Sequence, residues 1–196
     1  MNILQAIRER RAVRDYKPDP VSAGMIYQLM TSASWAPSAM NEQPCRFTVV
    51  TDSALLDEIS AKSKAATLAN MSAMLRPNHF RDILGDPGFH IFYHAPVLIV
   101  ISATGDGQWY VEDCALAAQN LMLSAYALGL GSCWVGFAQG WLNTLEGHRA
   151  LGLPTGDRAV APIIVGHPTV LPPPVARKAI AISWIGDIMP TEEHSD

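Results

Sequence analysis

Charge is scarce in this chain. Only 16% of its 196 residues are Asp, Glu, Lys or Arg, and the formal balance is −4. A weakly charged, slightly acidic chain lacks the basic footprint that a polyanion requires, which argues against nucleic acid as the main partner. Cysteine is scarce as well. Cys45, Cys114 and Cys133 are odd in number and widely spaced, with no C-x-x-C pair, a usage that fits reduced thiols in a cytoplasm. Apolar runs such as 95–101 are far too short to span a bilayer. No basic segment followed by an apolar one opens the chain. The expectation is a cytoplasmic protein that does not enter a membrane.

Several chemistries are missing too. There is no G-x-x-x-x-G-K-[ST] phosphate loop, which argues against an NTPase. Gly105-Asp106-Gly107 follows an apolar run and precedes a helical one, but the third glycine of a dinucleotide fingerprint would fall at Tyr110. Gly129 to Gly136 follows a helix instead of a strand, so it fails on context. No G-x-S-x-G elbow is present, and Cys133 lies among apolar residues, the setting of a small buried side chain more than of a nucleophile. His90 and His94 have a helical metal-ligand spacing, yet they sit beside Pro87-Gly88 with no nearby cysteine or carboxylate cluster, and no metal is expected. No acid/base pair stands out. An enzyme of this kind leaves its chemistry to a cofactor.

What the chain does have is apolar surface. Apolar residues make up 49%, with five Trp and eight Met. That is rich for a single domain of 1–196 and hints at a face buried against a partner chain.

Taken in order, 2–11 reads as a helix with Ile3, Leu4 and Ile7 on one face and Asn2 as N-cap. Ser22 caps a second helix reaching about Ser34. A β-branched run over 46–51 reads as a strand. Asp52 or Ser53 caps a long helix extending to about Leu75, and 76–94 is irregular with at most a short helix. An apolar β run over 96–103 is the pattern of a strand covered on both faces. Tyr110 to Leu128 reads as a buried helix, with Gly129 at its C′ position. A glycine-rich stretch to Phe137, a short helix over 142–151 and a third strand over 160–165 follow. Beyond Pro172-Pro173-Pro174, a last strand over 179–185 would be held out by a stiff spacer, within reach of another subunit.

Two stretches offer ligand chemistry. Arg10, Arg11 and Arg14 follow the first helix; they can complement its dipole, or form a fork for a phosphate. Between the second helix and the first strand lies Ala36-Pro37-Ser38-Ala39-Met40-Asn41-Glu42-Gln43-Pro44. Pro37 should end the helix and Pro44 should hold Gln43 extended. Ser38, Asn41 and Gln43 then offer donors and acceptors that suit a planar ligand such as a flavin, although a plain polar turn would look the same.

Together these segments resemble the FMN-dependent nitroreductase family. Arg10-Arg11-Ala12-Val13-Arg14-Asp15-Tyr16 is similar to its RRSVRxF start, and 36–44 to its APSxxNxQPW loop. Blocks 127–136 and 162–168, and Pro173-Pro174 ahead of Arg177-Lys178, follow in the family's order. The resemblance implies an α+β fold, a central mixed sheet flanked by helices, in an intertwined homodimer, with the tail from about 172 to 196 packed on the other subunit. It implies FMN at the interface and NADH or NADPH as hydride donor to a small electrophile by a ping-pong route. Arg10, Ala12, Arg14 and Arg177 match positions around the phosphate, beside Arg11. Pro37, Ser38, Ala39 and Asn41 match residues lent by the partner chain. Cys133, Trp134, Val135 and Gly136 match the backbone beside the isoalloxazine. Ala12, Ala39 and Cys45 depart from the commoner residues, and Asn70 is the candidate for a mid-chain flavin contact. The 68–94 stretch, where such enzymes carry substrate-selecting residues, bears no legible signature. The same scaffold resembles reductive dehalogenases and flavin-fragmenting enzymes; a flavin carrier without turnover is the rival from another class.

Overall fold

The computed structural model describes residues 2–71 and 78–186. Its elements run α1 (Ile3–Glu9), α2 (Ala23–Ser34), β1 (Cys45–Val50), α3 (Ser53–Met71), α4 (Asn78–Gly85), β2 (Val97–Ala103), α5 (Tyr110–Ala127), β3 (Gly131–Trp134), α6 (Gln139–Leu142), α7 (Leu145–Leu151) and β4 (Arg158–Gly166). The expected end of the third helix near Leu75 lies outside the described residues.

The caps follow from short polar side chains that satisfy orphan N–H groups. Asn2 Oδ1 accepts from Leu4 N–H at 2.9 Å, Ser22 Oγ from Met25 N–H at 3.3 Å and Asp52 Oδ1 from Leu55 N–H at 2.8 Å. Gly129, at φ +74°, ends α5 as the sequence suggests.

The four strands lie in the order β1-β2-β4-β3, and every neighbouring pair is antiparallel. The described sheet is thus antiparallel instead of mixed; the parallel pairing among the described residues is an isolated bridge, Ala12 to Ser132, beside the edge strand β3. Strand alternation divides the core. Val97, Ile99, Ile101 and Ala103 face α2 and α5, together with Ala161, Ile163 and Val165. Leu98, Val100 and Ile164 face the opposite way, with Leu56 and Ile59 of α3 and Trp141 and Leu142 of α6. All seven residues of β2 are buried, which explains its unbroken apolar run.

The structure corrects several expectations. Gly131–Trp134 is a strand, not only a glycine-rich connection; β4 supplies its ladder. The helix expected over 142–151 forms as α7 from Leu145; a separate short helix, α6, precedes it, and the chain breaks between them where Asn143 turns its amide to the sheet. Asn143 Nδ2 donates to Ala159 O at 2.8 Å, and its Oδ1 accepts from Ala159 N at 3.0 Å; Gln139 Nε2 reaches Val160 O at 3.0 Å. These amides serve the backbone where the β2–β4 register slips between Ile101 and Ser102, a bulge that leaves ladder groups free. Within one chain the segment expected as a strand over 179–185 pairs with no described strand. That segment is exposed, with Ile180, Ile182, Trp184 and Ile185 against no neighbour strand.

Candidate functional site

The residues after α1 run along the free edge of β3. Val13 N–H donates to Ser132 O at 3.0 Å, and Lys17 N–H to His167 O at 2.8 Å; Tyr16 bridges to Pro168. The approach is close because Gly131 lacks a side chain: a Cβ there would meet the Val13 side chain at 2.8 Å. Three blocks of the sequence thereby become neighbours: 10–16, 131–136 and 166–168.

This brings Arg10 and Arg14 to Cys133, whose thiol is pushed up by burial and pulled back by both guanidinium groups. Arg10 itself is held below its ordinary value, first by burial and then by the like charges of Arg177 and Arg11. Its Nε is buried with no partner. Neither it, Arg14 nor Arg177 pairs with a carboxylate among the described residues. Arg11 is placed differently. Its guanidinium donates to the carbonyls of Arg8, Arg10 and Pro173 at 2.7, 3.0 and 3.3 Å, so it finishes α1 and ties down the tail.

Beside these cations opens a cavity of about 520 Å³. Its floor is Cys133, Trp134, Val135 and Gly136, and Arg14 forms one wall. Thr67, Asn70 and Met71 of α3, Phe80 of α4, Tyr93, Phe137 and Gly140 complete it. Asn70, the mid-chain candidate, is therefore in the site. Sequence reading passed over Thr67, Phe80, Tyr93 and Phe137; Phe137 follows Gly136 directly, and only that adjacency hinted at it. Val135 N–H is taken by Pro162 O at 2.8 Å. Alternation turns the backbone groups of Trp134 to the other edge, where Ser132 already meets Val13. The Arg14 guanidinium lies 6.0 Å from the centre of the Tyr93 ring, and burial raises the Tyr93 phenol.

The second predicted group is elsewhere. Pro37 and Ser38 border a separate cavity of about 130 Å³ with Gln43, Cys45 and Asp113. Within one chain the structure does not bring Pro37, Ser38, Ala39 or Asn41 to the arginines. Gln43 is not extended: its φ is +51°, as Ser38 Oγ accepts its N–H at 2.9 Å and its Nε2 donates to Asn41 Oδ1 at 3.1 Å. Met40 and Asn41 also have positive φ, at 51° and 56°. Asp113 Oδ1, accepting from Ala39 N–H at 3.0 Å, holds this left-handed run. Asp113 was not singled out in the sequence, where it reads as an ordinary first-turn acid of α5.

A carboxylate does stand near the histidines, contrary to the sequence expectation: ligand atoms of Asp57, His90 and His94 all lie within 4.8 Å of one another. His90 Nδ1 accepts from Phe92 N–H at 3.2 Å, so its Nε2 carries the proton toward Asp57 Oδ1 at 3.1 Å. Both ring nitrogens are thus occupied as a neutral imidazole. No described helix is long and apolar enough to cross a membrane.

The arrangement fits a flavin mononucleotide. Crowded cations without a carboxylate partner among the described residues are what a phosphate would neutralise, and the adjoining cavity has an apolar wall and a backbone floor. Comparison with known proteins points the same way. The model of the nitroreductase family matches residues 7–167. A protein of Methanothermobacter thermautotrophicus, provisionally named an NADH dehydrogenase/NAD(P)H nitroreductase, is 30% identical over 69% of this chain, which spans 61% of that relative's length. A similarly named protein of Archaeoglobus fulgidus is 29% identical over 84% of each chain. The solved structure of a nitroreductase with bound FMN from Bacteroides fragilis superposes with a TM-score of 0.81. It is 26% identical, with 95% of this chain and all of that one covered.

Proposed function

The chain belongs to the nitroreductase family, and on that premise we propose that it is a homodimeric FMN-dependent oxidoreductase acting on a nitroaromatic, a quinone or a similar small electrophile. Bound FMN would supply the chemistry, taking a hydride from NADH or NADPH and handing it to the acceptor in a second half-reaction. One observation carries the reading: the Arg10 guanidinium is half-buried, lacks a partner at Nε and is crowded by Arg177, beside the cavity floored by Cys133–Gly136.

Arg10, Arg14 and Arg177 hold the phosphate in this reading, and the backbone at Ala12 fixes their spacing against β3. Arg11 braces them through Arg10 O and Pro173 O. The backbone of Cys133, Trp134, Val135 and Gly136 lies under the ring system. Tyr93, Phe80 and Phe137 supply aromatic walls that exclude water and orient a planar acceptor. Arg14 borders that cavity, and its charge would stabilise negative charge developing there.

The remaining positions, Pro37, Ser38, Ala39 and Asn41, act on the partner's site. Apolar surface supports a second copy. Ile3, Leu4 and Ile7 of α1 are at least half exposed, Trp35 is 82% exposed, and the tail carries Ile180, Ile182, Trp184 and Ile185 into solvent. An unpaired tail of this composition suits docking on another subunit.

The deciding experiment is an anaerobic visible spectrum of the purified protein, before and after NADH and then NADPH. Bleaching of a flavin band supports the oxidoreductase and identifies its donor. A bound flavin that ignores both nicotinamides favours a carrier, and failure to bind added FMN overturns the reading of the site.

A further inference from the structure

We propose that Cys45 and Cys114 form a peroxide-reactive thiol pair that closes into a reversible disulfide within one chain. The two residues are 69 apart in sequence, yet the start of β1 and the first turns of α5 bring their sulfurs to 3.5 Å. At that separation the sulfurs are already in van der Waals contact, against about 2.05 Å in a bonded pair. The pair is asymmetric. Cys114 is wholly buried, whereas Cys45 is part-exposed and borders the small cavity of about 130 Å³ with Ser38, Gln43 and Asp113. That volume admits a small hydroperoxide. Asp113 gives the cavity an acceptor: its Oδ2 is buried without a partner while Oδ1 is spent on Ala39 N–H.

Reactivity runs in the same direction. The shared hydrogen bond with Cys114 lowers the Cys45 thiol, against opposing effects of burial and the Asp113 charge. The Cys114 thiol is raised by that same bond and then by burial. Cys45 is thus the first to react and Cys114 the one that resolves.

The chemistry balances with a hydroperoxide as oxidant. Cys45 sulfur attacks one peroxide oxygen, the O–O bond breaks, and the departing oxygen takes up the thiol proton, leaving a sulfenic acid. Cys114 sulfur then attacks Cys45 sulfur and displaces hydroxide, which leaves as water with the Cys114 proton. Two thiols lose two electrons, and hydrogen peroxide becomes two waters. Cys133 takes no part. It lies in the cluster on the opposite face of the sheet and serves as an internal control.

The test treats the reduced full-length protein with hydrogen peroxide, blocks free thiols, and maps peptides by mass spectrometry without reduction. The expected result is a mass lower by two hydrogen atoms, one peptide pair joining Cys45 to Cys114, and free thiol only at Cys133. Dithiothreitol should restore all three thiols. In Cys114→Ser, dimedone should capture a sulfenic acid at Cys45; if that variant does not fold, the wild-type map decides alone. The proposal is overturned by Cys45 and Cys114 remaining free after peroxide, by Cys45 advancing to sulfinic acid without a cross-link, or by a Cys45–Cys45 bond between chains.

Discussion

Val13 donates its backbone N–H to the carbonyl of Ser132 at 3.0 Å, and this bond sets the arginines of the N-terminal segment beside the floor of the cavity. Everything proposed for the phosphate depends on how close those two backbones come.

Gly131→Ala tests that closeness. The added Cβ would meet Val13 at 2.8 Å with a buried strand behind it, and overpacking of this kind costs about 1–3 kcal/mol. A melting temperature lower by several degrees should accompany weaker FMN retention on gel filtration. Full retention at an unchanged melting temperature would show that the contact is slack.

Arg10→Ala should separate binding from stability. Charge-assisted hydrogen bonds are worth about 1.5–3 kcal/mol, so FMN affinity by fluorescence titration should fall about 10- to 100-fold. The flavin-free protein should melt at the same temperature or higher, because a crowded cation with an unsatisfied, buried Nε has been removed. A large loss of stability without loss of affinity would make Arg10 a structural residue.

His90 should make the protein acid-sensitive. Burial, then His94, lowers its proton affinity, Lys64 adds to this, and Asp57 opposes it. With the folded value below the unfolded one, stability is fully present above about pH 6.5 and is lost as pH falls toward the folded value. A proton on Nδ1 would also oppose the Phe92 N–H. His90→Gln should flatten melting temperature against pH in that range; an unaltered slope would assign the acid sensitivity elsewhere.

Ending the chain at Leu171 tests the tail. The variant should elute with a smaller fraction of dimer and should hold FMN less well, since Pro173 and Arg177 are gone. A dimer of undiminished stability would place the interface wholly on the remaining surface.

Much of this was legible in the sequence because single residues dictated it. Asn2 and Ser22 could serve their helices in one way, the choice between Asp52 and Ser53 was already narrow, and the unbroken run of β2 required cover on both faces. The arginine fork was visible as a cluster, but not the separation of tasks within it. That division depends on how the Ala12–Val13 backbone meets β3, and residue order carries no such information. Gln43 was misread for a related reason. The restriction that Pro44 imposes is local, whereas Ser38, Asn41 and Asp113 together hold a left-handed turn. The β3 strand escaped notice because three of its four residues, Gly131, Ser132 and Cys133, have little β preference; only the β4 ladder makes them a strand. The carboxylate beside the histidines comes from Asp57 of α3, 33 residues from His90, which lies in the turns after α4.

The amides of Gln139 and Asn143 hold the bulged carbonyls of β4 from outside the sheet. A bulge held only by its own ladder can migrate along a strand at little cost; this one cannot, because each step would strand an amide. The same short helix carries Gly140 and follows Phe137, both in the wall of the cavity. The wall is therefore indexed to one rung of the sheet. Slow chemical ageing of Asn143 to aspartate would turn a donor into an acceptor facing Ala159 O, releasing the index and loosening the cavity through a residue that does not itself line it.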